Sequence, residues 1–203
     1  MTDVRELAGA WPESSVPIIH GSCCLVAREW MRGMDQSLSR SDVGHVTPPL
    51  WLRERYEWGP RRWPMAWCDL PDSVTLDCGA FSAVTTDLYR VRGESASTVQ
   101  LIFRYPQQTV DMWHALWSSA GCTPHWIRGH HIYHEATALF RPDGTIDIWD
   151  SSVNKHLSSR DLTGNPIVAI RVFADAPQSR LQWDRNPVTN GEWCWLDRPS
   201  AGK

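Results

Sequence analysis

The sequence predicts an α+β fold, because helical periodicity dominates the first half of the chain and strand-like runs dominate the second. From Cys78 to about Tyr89, the apolar residues Phe81, Val84 and Leu88 recur at spacings of three and four, which predicts a helix with one buried face. The second half contains short runs rich in β-branched and aromatic residues, which predict an antiparallel sheet. Helices followed by a run of strands are typical of an α+β domain.

The chain has 203 residues, a length that suits a single domain spanning residues 1–203. Further helices are predicted over about 23–34, 51–58 and 110–119. Strands are predicted over about 98–105, 132–140, 145–149, 166–174, 180–183 and 193–196. We expect the adjacent Cys23 and Cys24 to be small core residues within the first helix.

Residues 37–71 form a segment rich in tryptophan, proline and arginine. A long ordered loop of this kind is more often functional than not, because its ordering costs entropy without a ladder of hydrogen bonds. The chain also contains 13 tryptophans. Tryptophan is large and seldom fully buried, so a small domain with this many is expected to line a cleft with several of them. We therefore expect residues 37–71 to form a substrate cleft.

The composition argues against several classes of partner. The formal net charge is −3 and the pI is about 6.2, so there is no electrostatic basis for binding nucleic acid or an anionic membrane. No apolar run approaches the ~20 residues of a membrane-spanning helix, and the first residues are acidic where a signal peptide is basic. We therefore expect a cytoplasmic protein whose six cysteines are mostly reduced thiols. The sequence leaves the oligomeric state open.

Cys78 is the candidate nucleophile because it opens the predicted helix. The unpaired backbone N–H groups and the dipole at a helix N-terminus favour a thiolate. Asp77 is an adjacent anion and opposes this effect, but its side chain is suited to cap the helix and to accept hydrogen bonds from the backbone. The sequence therefore predicts Asp77 as the N-cap and an activated thiol on Cys78.

His134 and Asp150 are the candidate base and orienting acid, and the turn between them supports the pairing. Residues 141–145 read Arg-Pro-Asp-Gly-Thr, which favours a three-residue hairpin loop with a glycine bulge. In that register Asp150 lies opposite Ala136 and diagonal to His134 on one sheet face, ~7–8 Å apart at the backbone. A two-residue Asp-Gly turn would instead turn Asp150 to the other face.

Three short segments carry a resemblance to a known family. They are Asp-Cys-Gly-Ala at 77–80, His-Glu-Ala at 134–136 and Trp-Asp-Ser-Ser at 149–152. In this order the chain resembles the transglutaminase-like branch of the papain-like cysteine enzymes over about residues 70–155. The resemblance implies a nucleophile helix packed on an antiparallel sheet that carries the histidine and the aspartate. It further implies a Cys-His-Asp triad that works without a cofactor.

The resemblance also implies the reaction class. Acyl transfer would proceed through a thioester on Cys78, from a peptide-like amide or an acyl thioester, either free or bound to a carrier protein. Release to water would make the chain a peptidase or amidase, and release to an amine would make it a transamidase or amide ligase, as in a biosynthetic tailoring enzyme. Papain-like enzymes stabilise the oxyanion with a glutamine six residues before the nucleophile, where this chain has Asp72. We therefore expect a tryptophan of the upstream loop, Trp63 or Trp67, at the substrate.

Two other classes of function remain open. Cys122, His125, His130 and His131 have the chemistry and the close spacing of metal ligands, which would make the chain a zinc-binding protein. Against this, His131 and His134 are three apart on a predicted strand and point to opposite faces. The third class is a non-catalytic binding module on the same fold, with the tryptophans as its ligand surface.

Overall fold

The computed structural model describes residues 16–39, 48–61, 65–158, 166–173 and 181–196. Its helices are α1 (Ser22–Ser39), α2 (Pro48–Arg55), a 3₁₀ turn (Trp67–Asp69), α3 (Cys78–Val91) and α4 (Gln107–Ser119). The strands are β1 (Glu57–Trp58), β2 (Thr75–Leu76), β3 (Ala96–Arg104), β4 (Ile127–Arg128), β5 (His131–Phe140), β6 (Ile146–Asp150), β7 (Lys155–Leu157), β8 (Ile167–Val172), β9 (Leu181–Trp183), β10 (Asn186–Val188) and β11 (Trp193–Trp195). Mixed helices and strands confirm the predicted α+β class.

The main sheet has the strand order β11-β8-β3-β5-β6-β7, with β4 paired to β5 at one end. All of its neighbouring strands are antiparallel. The longest pairing joins β3 to β5, from Ala96 opposite Leu139 to Arg104 opposite His131. The central strands β3, β5 and β8 are almost entirely buried, which explains their run of apolar residues. Strand β5, which carries His134, pairs with β3 along one edge and with β4 and β6 along the other.

Helix α3 packs on this sheet, and its burial differs from the prediction. We expected one buried face, but the side chains from Gly79 to Leu88 are all buried. The reason is that β5 and β3 cover one side of the helix while α1 and α2 cover the other. Some of its buried polar residues bond to the sheet, for example Ser82, whose hydroxyl donates to the carbonyl of Ala136, whereas the Thr85 hydroxyl has no hydrogen-bond partner. Helix α3 is therefore a central element and not a surface helix.

The side of α3 away from the sheet is fixed by a buried carboxylate. Asp87 is 4 % exposed and forms ion pairs with Arg28 and Arg32 of α1. The Arg32 guanidinium contacts it twice, at 2.7 Å from Nε to Oδ2 and 2.7 Å from Nη2 to Oδ1. Burial opposes the charge on Asp87, but the two guanidinium groups outweigh it and lower the pKa of the carboxyl. Helix α1 is thereby tied to the helix that begins with Cys78.

The hairpin between β5 and β6 has the predicted register. The Arg141 N–H donates to the carbonyl of Thr145 at 2.8 Å, and Gly144 has a φ of +86°, as a bulged three-residue loop requires. Thr137 pairs with Trp149 and Leu139 with Asp147, so Asp147 faces away from the side that holds Asp150. Turn chemistry therefore sets which carboxylate can reach His134.

The predicted helix over 51–58 is only partly right, because the helix ends at Arg55 and a strand follows. Strand β1 runs parallel to β2, which comes directly before Cys78. The Glu57 N–H donates to the carbonyl of Val74 at 2.9 Å, and the Gly59 N–H donates to that of Leu76 at 3.1 Å. After Arg55, pairing with β2 thus takes the place of further helical hydrogen bonds.

Several predicted bounds change only slightly. Helix α1 continues to Ser39, beyond its predicted end at 34, and α4 begins at Gln107, ahead of its predicted start at 110. Residues 40–47 and 62–64 of the predicted cleft segment lie outside the described residues, as do residues 174 and 180 of two predicted strands. Among the described helices, none combines the length and the apolar character needed to cross a membrane.

Candidate active site

The structure brings Cys78, His134 and Asp150 to the wall of one cavity. Cys78 is the first residue of α3, His134 lies on β5, and Asp150 is the last residue of β6. The Nε2 atom of His134 lies 2.9 Å from Oδ2 of Asp150, and their side chains are 14 % and 11 % exposed. All three predicted catalytic residues therefore meet at one place in the fold.

Asp150 is held so that one of its oxygens faces the histidine. Its Oδ1 accepts a hydrogen bond from the Ser152 N–H at 3.0 Å and another from the Ser152 hydroxyl. The other oxygen, Oδ2, faces His134. The Nε2–H bond of the ring does not point at Oδ2, so the contact is an ion pair and not a hydrogen bond. The ring of Phe103 packs edge-on against His134, with 5.6 Å between the ring centroids. Packing and the serine together fix the orientation of both groups.

The charges of His134 and Asp150 stabilise each other. Burial by itself lowers the pKa of His134, but the carboxylate of Asp150 and the sulfur of Cys78 outweigh it and raise that pKa well above its ordinary value. Burial likewise favours a neutral Asp150, and the charge on His134 and the hydrogen bonds from Ser152 overcome it, so the pKa of Asp150 is lowered. The charged form of each group is therefore favoured by the charged form of the other.

The Cys78 thiol differs from the expectation. Burial raises its pKa above the ordinary thiol value, and the opposing influence of His134 does not fully compensate. The negative charges of Asp77 and Glu135 act in the same direction as burial. Asp77 is nevertheless the predicted N-cap, since its Oδ1 accepts a hydrogen bond from the Ala80 N–H at 2.9 Å. Cys78 is itself half-buried, and the helix N-terminus alone does not outweigh the effect of burial on its thiol.

Glu135, next to His134 on β5, belongs to a separate buried network. It is 1 % exposed and accepts a hydrogen bond from the Tyr133 hydroxyl at 2.5 Å. The side-chain amide of Gln100 donates to the same hydroxyl at 2.6 Å. Burial, followed by the charge of Glu135, raises the pKa of Tyr133 well above its ordinary value. A neutral tyrosine ring therefore forms part of the cavity wall beside the histidine.

The cavity next to Cys78 has a volume of about 220 Å³ and a mainly apolar wall. Most of its lining side chains are aromatic or aliphatic, and they are Trp58, Phe103, Tyr105, Trp113, Trp117, Trp126, Ile132, Tyr133, Val153 and Leu157. Four tryptophans stack edge to face at one end, with centroid distances from 4.6 Å for Trp117 and Trp126 to 5.9 Å for Trp113 and Trp117. Four of the 13 tryptophans in the sequence therefore line this cavity.

The tryptophans that line this cavity are not those that the sequence suggested. Trp67 is 5 % exposed and packs in the helical core under the guanidinium of Arg28, whose Cζ lies 5.3 Å from the ring centroid. That position gives no support to its predicted role at the substrate. Trp63 lies outside the described residues. Within the described parts of segment 37–71, Trp58 is the residue that lines the cavity.

The side chain of Trp58 has a feature that could not be expected from the sequence. Its indole Nε1 is buried without a hydrogen-bond partner. Strand β1 places it opposite Leu76, two residues before Cys78. A buried N–H without an acceptor is costly, and such groups in native proteins call for an explanation. Trp58 therefore combines a place in the cavity wall with an indole N–H that has no hydrogen-bond partner.

The structure does not assemble the metal site predicted from Cys122 and the neighbouring histidines. Cys122 is buried within the cluster of tryptophans, while His125 and His130 are exposed. Within the described part of the chain, the group of three or more ligand side chains close enough to share an ion is a different one, formed by Cys23, Cys24 and Cys68.

No protein-family model, curated protein or solved structure shows significant similarity to this chain.

Proposed function

We propose that this protein is a cysteine-nucleophile acyltransferase that forms a thioester on Cys78. The observation that carries the proposal is the meeting of Cys78, His134 and Asp150 at one cavity, with His134 held 2.9 Å from Asp150. A nucleophile, a base and a group that orients the base are the parts that covalent acyl transfer needs. The order of these residues on a helix and two paired strands supports the transglutaminase-like branch as the fold family.

In the proposed reaction, the sulfur of Cys78 attacks the carbonyl carbon of an amide or thioester. The proton of the thiol passes to neutral His134, which then donates it to the departing amine or thiol as the carbon–leaving-group bond breaks. Water or an amine attacks the resulting thioester, His134 accepts the proton of that nucleophile, and the Cys78 thiol is restored. Asp150 orients the ring and stabilises its charged form throughout.

The oxyanion formed during attack needs donors, and we propose two candidates from residues that line the same cavity. As the first residue of α3, Cys78 has a backbone N–H without an acceptor inside the helix. The buried, unpartnered indole N–H of Trp58 is the second. Removing one such donor typically slows acyl transfer by ~10²–10³-fold. Trp58 therefore takes the role that the sequence assigned to Trp63 or Trp67.

The cavity selects the acyl group. Its wall is mainly apolar, and the ionisable side chains that line it, apart from Tyr105 and Tyr133, are Cys78, His134, Asp150 and Asp77. An apolar cavity of ~150 Å³ accommodates a benzene ring, so 220 Å³ suits an arylacyl or branched-chain acyl group. Peptide-like amides and acyl thioesters, free or on a carrier protein, remain the proposed donors. We also propose a cytoplasmic location, in which the six cysteines would stay mostly reduced.

Intact-mass spectrometry with a panel of small acyl thioesters tests this proposal. We expect phenylacetyl and benzoyl thioesters to add one acyl group to Cys78, and a succinyl thioester to react far more slowly. Peptide mapping should place the adduct on Cys78, and a Cys78→Ala variant should show none. Adding a primary amine or leaving only water then identifies the acceptor. Equal, slow acylation of every exposed cysteine, with no preference for Cys78, would contradict the proposal.

A second candidate function is a non-catalytic module that binds an apolar ligand. The observation in its favour is the burial that raises the pKa of the Cys78 thiol and so disfavours the reactive thiolate. Calorimetry with phenylacetamide and related amides separates the two candidates. If the protein is a binding module, the wild type and the Cys78→Ala variant should bind the amide equally well. Neither should form an acyl adduct with any thioester.

A further inference from the structure

Three cysteines outside the proposed active site lie close together in space. Cys23 and Cys24 are in the first turn of α1, and Cys68 is in the 3₁₀ turn 44 residues further along the chain. The sulfur of Cys24 lies 3.0 Å from that of Cys68 and 4.0 Å from that of Cys23. All three sulfurs fall within 4.8 Å of one another. We call this group the cysteine cluster.

The spacing of the cysteine cluster suits three ligands of one metal ion. Zinc–sulfur bonds are about 2.3 Å long, so two sulfurs on one tetrahedral zinc lie about 3.8 Å apart. The distance between Cys23 and Cys24 is within a few tenths of an ångström of this value. Cys24 and Cys68 need to separate by about 0.8 Å, which a rotation of the half-buried Cys68 side chain supplies. Thiolates select soft or borderline cations.

The surroundings favour negatively charged sulfur. Cys23 and Cys24 lie where the N–H groups of α1 have no acceptors inside the helix. Arg28 comes one turn after Cys24, and its guanidinium stacks on Trp67, the neighbour of Cys68. A tight complex of three thiolates with a divalent cation carries one negative charge, which the N-terminus of α1 partly offsets. The sequence offered only the adjacent pair, because Cys68 joins it through tertiary packing.

The cysteine cluster is accessible from solvent on one side. Cys24 is fully buried, but Cys23 is exposed and Cys68 is half-buried. Cys23 and Cys68 line a surface depression together with Asp72. This depression gives an ion a route to the sulfurs and leaves room for a fourth ligand, either water or the Asp72 carboxylate.

We propose that Cys23, Cys24 and Cys68 bind one Zn²⁺ ion through three thiolates, with the fourth position open to water or Asp72. Binding releases the thiol protons and forms three zinc–sulfur bonds, with no change in oxidation state. The ion would link α1 to the 3₁₀ turn, and so brace the helix whose arginines hold Asp87 of α3. This proposal does not depend on the chemistry proposed for Cys78.

Zinc titration of the reduced full-length chain tests the proposal. We expect one Zn²⁺ per chain in wild type and in Cys78→Ala, which excludes the active site as the binding place. Cd²⁺ should give the ultraviolet charge-transfer band of a cadmium–thiolate complex. At free zinc of ~100 times Kd, the melting temperature should rise by about 5–10 °C.

Two serine variants provide the decisive comparison. Cys23 is exposed, so Cys23→Ser should fold normally and yet bind zinc at least ~100-fold more weakly. Cys194→Ser removes a thiol outside the cluster and should leave zinc affinity unchanged. Unchanged affinity in Cys23→Ser, or no zinc uptake by the reduced chain, would overturn the proposal. The proposal would also be overturned if a Cys24–Cys68 disulfide formed in a glutathione redox buffer and persisted with zinc present.

Discussion

Replacing His134 with glutamine should shift the ionisation of Cys78 to higher pH. Glutamine has a similar size but no charge, so it removes the attraction between an imidazolium and the Cys78 thiolate, which now opposes the effect of burial. An opposite charge within ~4–6 Å typically lowers a pKa by ~1–3 units, and each unit changes the thiolate fraction tenfold below the pKa. Alkylation of Cys78 below its pKa should therefore slow by ~10–10³-fold.

The assay is alkylation by iodoacetamide from about pH 6 upward to the pH at which the rate stops rising, with the labelled cysteine identified by mass spectrometry. A complete pH profile separates two effects of the substitution, since the midpoint reports the pKa and the alkaline plateau reports access of the reagent. His156→Gln is the matched control, because His156 is 50 % exposed and pairs with Asp147 on the other face of the hairpin. The same midpoint in His134→Gln and wild type would refute the proposed coupling between Cys78 and His134.

Three further predictions concern the groups around this site. Trp58→Phe should slow acylation of Cys78 by ~10²–10³-fold, whereas Trp113→Phe in the same cavity should change it only a few-fold; equal losses would argue against a donor role for the indole. Asp87→Asn should lower the free energy of unfolding in urea by about 2 kcal/mol, less than for a fully buried pair because its arginines are about one quarter exposed. The pKa of Asp87 is lowered in the folded state, so this stabilisation is present above ~pH 4 and lost as the pH falls through the folded pKa, a trend that an Asp87→Asn protein should lack. Gly144→Ala, at a φ of +86°, should cost about 1 kcal/mol in the same urea experiment, and a smaller cost would mean that the loop relaxes to another turn.

The features that the sequence predicted correctly are those set by local chemistry. Asp77 caps α3 because its carboxylate reaches an N–H three residues ahead, which needs no information from the rest of the chain. The hairpin register follows from residues 141–145 alone, and it carries the placement of Asp150 relative to His134. Two of the three catalytic candidates could therefore be related to each other before any tertiary structure was known.

The features that the sequence did not predict arise from contacts between distant segments. Trp58 reaches the cavity because β1 pairs with β2, and the short runs of the two strands contain no marker of that pairing. The pKa of Cys78 depends on how much water the aromatic wall excludes, which the position of Cys78 on a helix cannot reveal. Cys68 approaches Cys24 across 44 residues through packing of the 3₁₀ turn on α1. In each case the decisive partner lies far away in sequence.

The complete burial of α3 has a consequence for how this protein could diversify. Residues Gly79–Leu88 have no exposed side chain, so nearly every change there disturbs packing and the position of the nucleophile at the same time. Much of the cavity wall comes from other elements, including Trp113 on α4, a helix most of whose residues are exposed. Mutations on α4 can reshape the cavity while the helix of Cys78 stays intact. Under the proposed function, new acyl specificities would arise by drift on α4 while the residues around Cys78 are inherited unchanged.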